Sequence, residues 1–450
     1  MNHSTQSHSD TIVARATPAG TGGVAVIRIS GADVRRIAQE ILRQLPTPRY
    51  AVLGDFLDGD KEAIDTGLAL FFPGPHSFTG EDVLELHAHG GAVVCELLIE
   101  RVLALGARMA EPGEFSRRAF LNDKLDLSQA EAIADLIDSG SKSAARAAQR
   151  SMRGDFSAAV LALNQRVTQL RVHVEAAMDF PEEEIDFLDD AELRQRMDDV
   201  EQEFDDLEGV VRQGCLLRDG IQVVLAGRPN AGKSSLLNAL AGYDAAIVTD
   251  IPGTTRDLVR EHLDLEGLPV HIVDTAGLRR DAELVEREGI RRAKQQLAES
   301  DHALVIVDVT DKDTPLQSLV DELPDGLSFT VVRNKIDLTD EPAGAISTDT
   351  INVSARTGAG LDELRQRLKN AVGYQGGGEG TMTARQRHLA SLNKARRHFH
   401  AGRRQLTENK AGELMAEELL QVQNALAEIT GQFTSDDLLG EIFTSFCIGK

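Results

Sequence analysis

A multidomain α/β protein is predicted: an α+β domain first, then an α-helical domain into which a phosphate-binding α/β domain is inserted. Three features of the 450-residue chain carry that reading. Residues 227–234 read Gly-Arg-Pro-Asn-Ala-Gly-Lys-Ser, directly after the apolar run Ile221–Ala226 and directly before the helix-forming Ser234–Leu240. Strand, glycine-rich loop and helix in that order aim backbone N–H groups and a helix N-terminus at phosphate oxygens. Flanking this region, from Leu127 to about Gly214 and again over residues 384–430, glycine and proline become rare and apolar residues such as Ala130, Ile133, Ala134 and Ile137 recur at helical spacing. Residues 11 to about 122 instead alternate short apolar runs (Val24–Ile29, Leu68–Phe72, Val83–Leu86) with turn clusters such as Pro73-Gly74-Pro75, which is mixed strand and helix chemistry.

Length alone sets a prior of about three domains. A formal net charge of −24 and the absence of tryptophan argue against a chain that coats nucleic acid or membrane over its whole surface, so any RNA contact is local or belongs to a partner. Three widely spaced cysteines, Cys95, Cys215 and Cys447, fit reduced thiols better than a disulfide framework. The first ten residues are polar and no apolar run approaches about 18 residues, so a soluble cytoplasmic protein is expected.

The boundaries read as residues 1–124 for the α+β domain, 125–215 for the first helical part, 216–375 for the nucleotide domain and 376–450 for the second helical part. The nucleotide domain alternates strand candidates (His271–Val273, Ala303–Val307, Phe329–Val332, Thr350–Val353) with amphipathic helices, which implies a parallel sheet covered on both faces. It ends at the flexible Gly373–Gly380. Residues 384–450 are too few for a core of their own and need the earlier helices to bury their apolar faces. Residues 179–208 carry 15 Asp and Glu against two Arg, the composition of a solvated helix face. Two basic stripes stand against that background: Lys142, Arg146, Arg150 and Arg153, and then Arg385, Arg387, Lys394, Arg396, Arg397, Arg403 and Arg404. They are solvated helix faces or contacts for phosphate or a partner protein.

The chemistry is that of a guanine nucleotide. Asn230, Ala231 and Gly232 form the loop, Lys233 supplies charge at the terminal phosphates, and Ser234, followed by Ser235, offers a hydroxyl to Mg²⁺. Asp274-Thr275-Ala276-Gly277 ends a strand with an acid for the Mg²⁺ shell and a glycine N–H for the γ-phosphate. Asn334-Lys335-Ile336-Asp337 follows, where a carboxylate such as Asp337 accepts both ring and exocyclic N–H donors of guanine, an arrangement adenine cannot offer. Ser354-Ala355-Arg356 closes the base pocket. Between these lies Thr249-Asp250-Ile251-Pro252-Gly253-Thr254-Thr255, a switch-like segment in which Thr255 is placed to complete the Mg²⁺ shell. The residue after Gly277 is Leu278, where a Ras-type mechanism uses glutamine. An apolar side chain cannot orient water, so catalysis needs another polar group and another positive charge.

These motifs, with Thr11-Ile12-Val13-Ala14 at the start and Phe446-Cys447-Ile448-Gly449-Lys450 at the end, resemble the MnmE (TrmE) family of bacterial tRNA-modification GTPases over essentially the whole chain. The resemblance implies a Ras-like GTPase domain and a potassium ion in place of an arginine finger. That ion would be held by Asn230, Thr249, Ile251 and Thr254, with Pro252 removing one N–H from the same loop, and Glu286 would orient the attacking water. It further implies that the first domain is folate-binding, holding a 5-formyl-tetrahydrofolate or related donor with Arg28, Glu85, Lys124 and Lys450. Cys447 beside that site is a candidate catalytic thiol. For Lys450 to reach it, the C-terminus must cross a dimer interface or fold back. The implied activity is aminomethyl or carboxymethylaminomethyl modification at carbon 5 of the wobble uridine of certain tRNAs. The implied assembly is a homodimer working with the flavin- and NADH-dependent partner MnmG, which would contribute most of the tRNA binding. The alternative is an Era- or Der-like switch in ribosome assembly, which would share every nucleotide motif and differ only in its flanks.

Overall fold

The computed structural model describes residues 10–179, 191–241, 260–274, 300–311, 316–321, 323–324, 326–376, 378, 380–432 and 436–449. The chain divides into two compact units: residues up to 134 together with 427 onward, and residues 135–426.

The first unit is built on a six-stranded sheet. Its elements are β1 (Ile12–Arg15), β2 (Gly22–Ser30), α1 (Val34–Leu42), β3 (Val52–Leu57), β4 (Ala63–Phe72), β5 (Val83–Gly90), α2 (Ala92–Ala104), β6 (Arg108–Met109), α3 (Glu114–Leu121) and α4 (Leu127–Asp138). The strand order is β3-β4-β5-β2-β1-β6, antiparallel except for β1 with β6. Period-two alternation sorts the faces: Ile27, Ile29, Leu84 and Leu86 are buried against Ile37, Ile41, Leu98 and Val102 of α1 and α2. The alternate residues Arg28, Glu85 and His87 are therefore on the opposite face, which also carries the exposed Leu53 and Leu68 in the row of His87.

The end of the chain belongs to this unit. A terminal helix (Asp436–Thr444) places Phe443, with Leu439, Ile442 and Phe446, against Leu127, Ala130 and Ala134 of α4. Ile448 bridges Pro112, and the N–H of Gly113 donates to the Cys447 carbonyl at 3.3 Å. Gly113 has φ +65, and a Cβ there would lie 2.5 Å from the Phe443 carbonyl oxygen, so only glycine permits the approach. The C-terminus thus folds back onto its own N-terminal domain. Contacts put residues from 427 onward with the first unit.

The second unit joins helices α5 (Lys142–Arg153), α6 (Asp155–Asp179) and α7 (Ala191–Asp219) to the nucleotide domain, followed by α11 (Gln386–Asn409) and α12 (Gly412–Thr430). The nucleotide domain holds β7 (Ile221–Ala226), α8 (Lys233–Ala241), β8 (Arg260–Leu265), β9 (Leu268–Asp274), β10 (His302–Asp308), α9 (Leu316–Val320), β11 (Phe329–Asn334), β12 (Gly344–Ala345), β13 (Thr350–Asn352) and α10 (Leu361–Ala371). Its strand order is β12-β13-β11-β10-β7-β9-β8. The five inner strands are parallel, but β8 and β12 pair antiparallel at the two edges, which the βα rhythm did not foretell. An edge hairpin needs only a short turn, here Glu266-Gly267, and leaves no crossover helix in the sequence to read.

The helical segments before and after the nucleotide domain meet. Phe204 of α7 and Phe399 of α11 are fully buried with ring centroids 5.7 Å apart, each burial worth about 2–3 kcal/mol. Gly214 of α7 receives the returning chain, since a Cβ there would stand 2.4 Å from the Met382 carbonyl oxygen. The basic stripe of α11 has acidic neighbours: Arg396 lies 2.6, 2.6 and 2.7 Å from Glu201, Asp205 and Glu208 of α7, and Arg403 lies 2.7 Å from Asp198. Lys142, Arg146 and Arg153 of α5 are exposed.

His302 opens β10 and is buried, with its ring nitrogens 2.7 Å from Ser328 Oγ and 2.9 Å from Thr330 Oγ1. Burial lowers its pKa from 6.5 to about 4. The unfolded chain takes up a proton on this residue below pH 6.5 and the native chain only near 4, so the stability that the neutral imidazole contributes is complete above 6.5 and is lost as pH falls toward 4. The full contribution is about 3 kcal/mol. Urea unfolding at pH 7 and at 4.5 is expected to show a larger drop for the wild type than for His302→Gln, whose amide can still bond Ser328 and Thr330. Equal drops would show that His302 is not the source.

Candidate nucleotide-binding site

At the carboxyl end of β7 the chain turns through residues 227–232 into α8. Gly227 has φ +153 and Gly232 has φ +92. A Cβ on Gly227 would sit 2.5 Å from the Ile306 carbonyl oxygen, and one on Gly232 would sit 2.3 Å from Asn334 Nδ2. Both positions therefore demand glycine. Asn230 is exposed at the turn with φ +68. Lys233 is buried and donates to the carbonyls of Gly227 (2.8 Å) and Arg228 (3.3 Å), which holds its ammonium folded over the loop. Ser234 and Ser235 are exposed on the first turn of α8. Ala231, by contrast, is buried in the core beneath.

Parallel pairing carries the loops at 334–337 and 354–356 to the same end of the sheet. Asn334, the last residue of β11, is 1% exposed. Its Nδ2 donates to the Ala231 carbonyl at 3.1 Å and its Oδ1 accepts the Ala355 N–H at 3.0 Å. One side chain thus links the phosphate loop, the 334–337 loop and the 354–356 loop. Asp337 is exposed, with one carboxylate oxygen accepting from Ser354 Oγ at 2.6 Å. Ser354 is fully buried and Arg356 is exposed. A cavity of about 270 Å³ opens among Arg228, Asn230, Ala231, Ile306, Asp308 and Lys335.

Asp308 belongs to none of the nucleotide motifs legible in the sequence. It ends β10, lies opposite Asn334 in register and contacts Lys335 Nζ at 2.6 Å. Partial burial works to raise the pKa of its carboxyl, but hydrogen bonds from Lys335 and Thr310 outweigh that and hold it below the ordinary aspartate value. An acid closing a strand next to the one that ends in Asn334 was the available signal.

Asp274 ends β9. The remaining nucleotide and metal candidates, Thr249, Asp250, Ile251, Pro252, Gly253, Thr254, Thr255, Thr275, Ala276, Gly277 and Glu286, lie outside the described residues, as does Lys450.

In the first unit, Arg28 and Glu85 form a cross-strand pair, Nε to Oε1 2.9 Å, with side chains 24% and 17% exposed. The Arg28 guanidinium lies 5.7 and 5.6 Å from the Phe78 and Phe115 ring centroids and within 3.5 Å of the Gly449 carbonyl oxygen. Lys124 flanks Gly80 in the loop that carries Phe78. The structure therefore groups Arg28, Glu85 and Gly449 in one half-buried corner, with Lys124 beside the adjoining loop. Cys447, two residues before Gly449 in the chain, is exposed.

A glycine-rich loop before a helix in a parallel sheet, tied by Asn334 to a loop bearing an acceptor for guanine, defines a P-loop GTP-binding protein. The chain belongs to the MnmE/TrmE family of tRNA-modification GTPases. The family model described as the MnmE helical domain matches residues 127–447, and that described as the GTP-binding protein TrmE N-terminus matches residues 11–124. Among solved structures it is similar to the G domain of the FeoB iron transporter of T. maritima, at 23% identity over 34% of this chain and 98% of that one, with a TM-score of 0.26. It is also similar to an Era variant of Aquifex aeolicus bound to GDP·AlF4⁻, at 23% identity over 40% and 66%, TM-score 0.25. The FeoB G domain of Methanococcus jannaschii matches at 26% identity over 34% and 98%, TM-score 0.25.

Asn334→Ala is expected to weaken GDP binding at least tenfold and to lower the unfolding midpoint. It leaves the buried Ala231 carbonyl without its partner, at about 1–3 kcal/mol, and frees the half-buried Ala355 N–H. Isothermal titration and thermal unfolding of the full chain check both.

Proposed function

We propose that this chain is a potassium-dependent GTPase. Its cycle would serve aminomethyl or carboxymethylaminomethyl modification of the wobble uridine in certain tRNAs, together with the flavin- and NADH-dependent partner MnmG. The observation that carries the reading is the Asn334 network, which ties a phosphate loop to a guanine-reading carboxylate in a chain whose two flanks both match this family.

Lys233 and the loop amides bind the phosphates, and Asp337 selects guanine. Ser234 and Thr255 would hold Mg²⁺, and Asn230, Thr249, Ile251 and Thr254 would hold K⁺. Glu286 positions water in place of the glutamine that Leu278 replaces. The exposed Ser234 hydroxyl on the first turn of α8 and the exposed Asn230 amide at the loop turn suit such ions. When bound, the cations supply positive charge opposite the charge that develops on the phosphates.

The corner around Arg28 suits a folate: a guanidinium for carboxylates, a carboxylate for the pterin amino group, and two flanking aromatic rings. When bound, the folate supplies the one-carbon unit. The sheet face that carries Arg28 also bears Leu53 at 71% and Leu68 at 41% exposure, an apolar surface that a second copy of the chain would cover and that supports a homodimer. No helix among the described residues is long and apolar enough to cross a membrane.

GTP turnover is expected to be at least about tenfold faster in potassium than in sodium chloride of equal ionic strength, and equal rates would remove the potassium reading. Nucleoside mass spectrometry of tRNA from cells lacking the protein is expected to show unmodified carbon 5 at wobble uridines. An unchanged profile would favour the Era- or Der-like switch.

A further inference from the structure

We propose that Asp308 is a positioning residue for guanine-nucleotide binding, acting through Lys335. The inference deepens the reading of the site as a GTP site and rests on it. Asp308 and Asn334 are partners at the ends of the parallel strands β10 and β11, so the carboxylate emerges beside the residue that follows Asn334. Its Oδ2 lies 2.6 Å from Lys335 Nζ. Its Oδ1 accepts the Thr310 N–H at 2.9 Å and the Thr310 hydroxyl at 2.7 Å, which fixes the carboxylate plane independently of lysine.

Lys335 needs such a partner. Its backbone sits at φ +71, a left-handed conformation that a lysine adopts at a cost of about 1 kcal/mol or more. Its side chain has four rotatable bonds, and fixing it costs up to about 2 kcal/mol of rotamer entropy. Its Cε lies 3.9 Å from where a Cβ on Gly232 would stand, so the stem runs alongside the phosphate loop. Asp308, Lys335 and the loop residues Asn230 and Ala231 line the same 270 Å³ cavity. Arg228 and Asp311, which also line that cavity, are 3.7 Å apart, so the turn after β10 touches both the phosphate loop and the 334–337 loop through charges. A lysine held in place before the nucleotide arrives leaves less freedom to be lost on binding, and the gain appears as slower nucleotide release.

The test is stopped-flow dissociation of a fluorophore-labelled GDP from the full chain, for wild type, Asp308→Asn, Lys335→Met and the double variant. Asparagine keeps the oxygen that accepts from Thr310 and turns an amide nitrogen toward Lys335, so it removes the lysine contact with minimal change to the turn. Asp308→Asn and Lys335→Met are each expected to release the nucleotide about tenfold faster, and the double variant no faster than Lys335→Met alone. A wild-type rate for Asp308→Asn, or effects that multiply in the double variant, would overturn the proposal while leaving the GTP site standing. Failure of the wild type to bind the labelled GDP would overturn the site and the proposal together.

Discussion

The nucleotide site depends on one buried amide. Asn334 spends its acceptor on the Ala355 N–H and one donor on the Ala231 carbonyl. Both partners are loop backbone, which has no ladder or helix to satisfy it. A net hydrogen bond is worth about 1 kcal/mol, but a buried group left without one costs about 1–3, so the network matters through what its loss would orphan. The same amide dictates its neighbour: Gly232 is glycine because Asn334 Nδ2 occupies the space a Cβ would take. Two residues about a hundred positions apart therefore specify each other, and Lys335 and Asp337 inherit their places from the first of them.

Charge plays a different part in the helical region. The acids of α7 that give the chain much of its negative balance surround Arg396 and meet Arg403, so they are not simply a solvated face. Partial burial works to raise the pKa of Glu208, but Arg212 and Arg396 outweigh that and keep it ionised. Half-exposed ion pairs of this kind add little stability, and breaking one side is costlier than the pair is worth. Their contribution is to the register between α7 and α11, two helices separated in sequence by the whole nucleotide domain. The Phe204–Phe399 contact supplies the apolar part of the same seam.

What could be read in the sequence was whatever is encoded locally. The order of β7, loop and α8 was legible because strand, glycines and helix are contiguous, and β9, β10, β11 and β13 were legible as apolar runs at their places in the order. Family motifs named Asn334 and Asp337 for a nucleotide, but the bond from Asn334 to Ala231 is a matter of three-dimensional pairing. The antiparallel edges β8 and β12, the neutralisation of Arg396 and the pairing of Asp308 with Lys335 share one cause: each partner lies on a different element, so no spacing records it. Arg28 and Glu85 are intermediate. Alternation put each on the open face of its strand, while only the β2–β5 register made them neighbours.

The docking of the terminal helix and Ile448 onto the first unit has a consequence for biosynthesis. The sheet of the N-terminal domain leaves the ribosome first, yet Leu127, Ala130 and Ala134 find their partners only when residues 439–446 have been made. About 300 residues intervene, which at roughly 5–20 residues per second is some 15–60 s of translation. For that interval the nascent first domain displays an apolar surface that its own chain cannot yet cover. A stalled or prematurely terminated product would retain that exposed patch, a mark by which folding helpers and proteases can tell it from the finished protein.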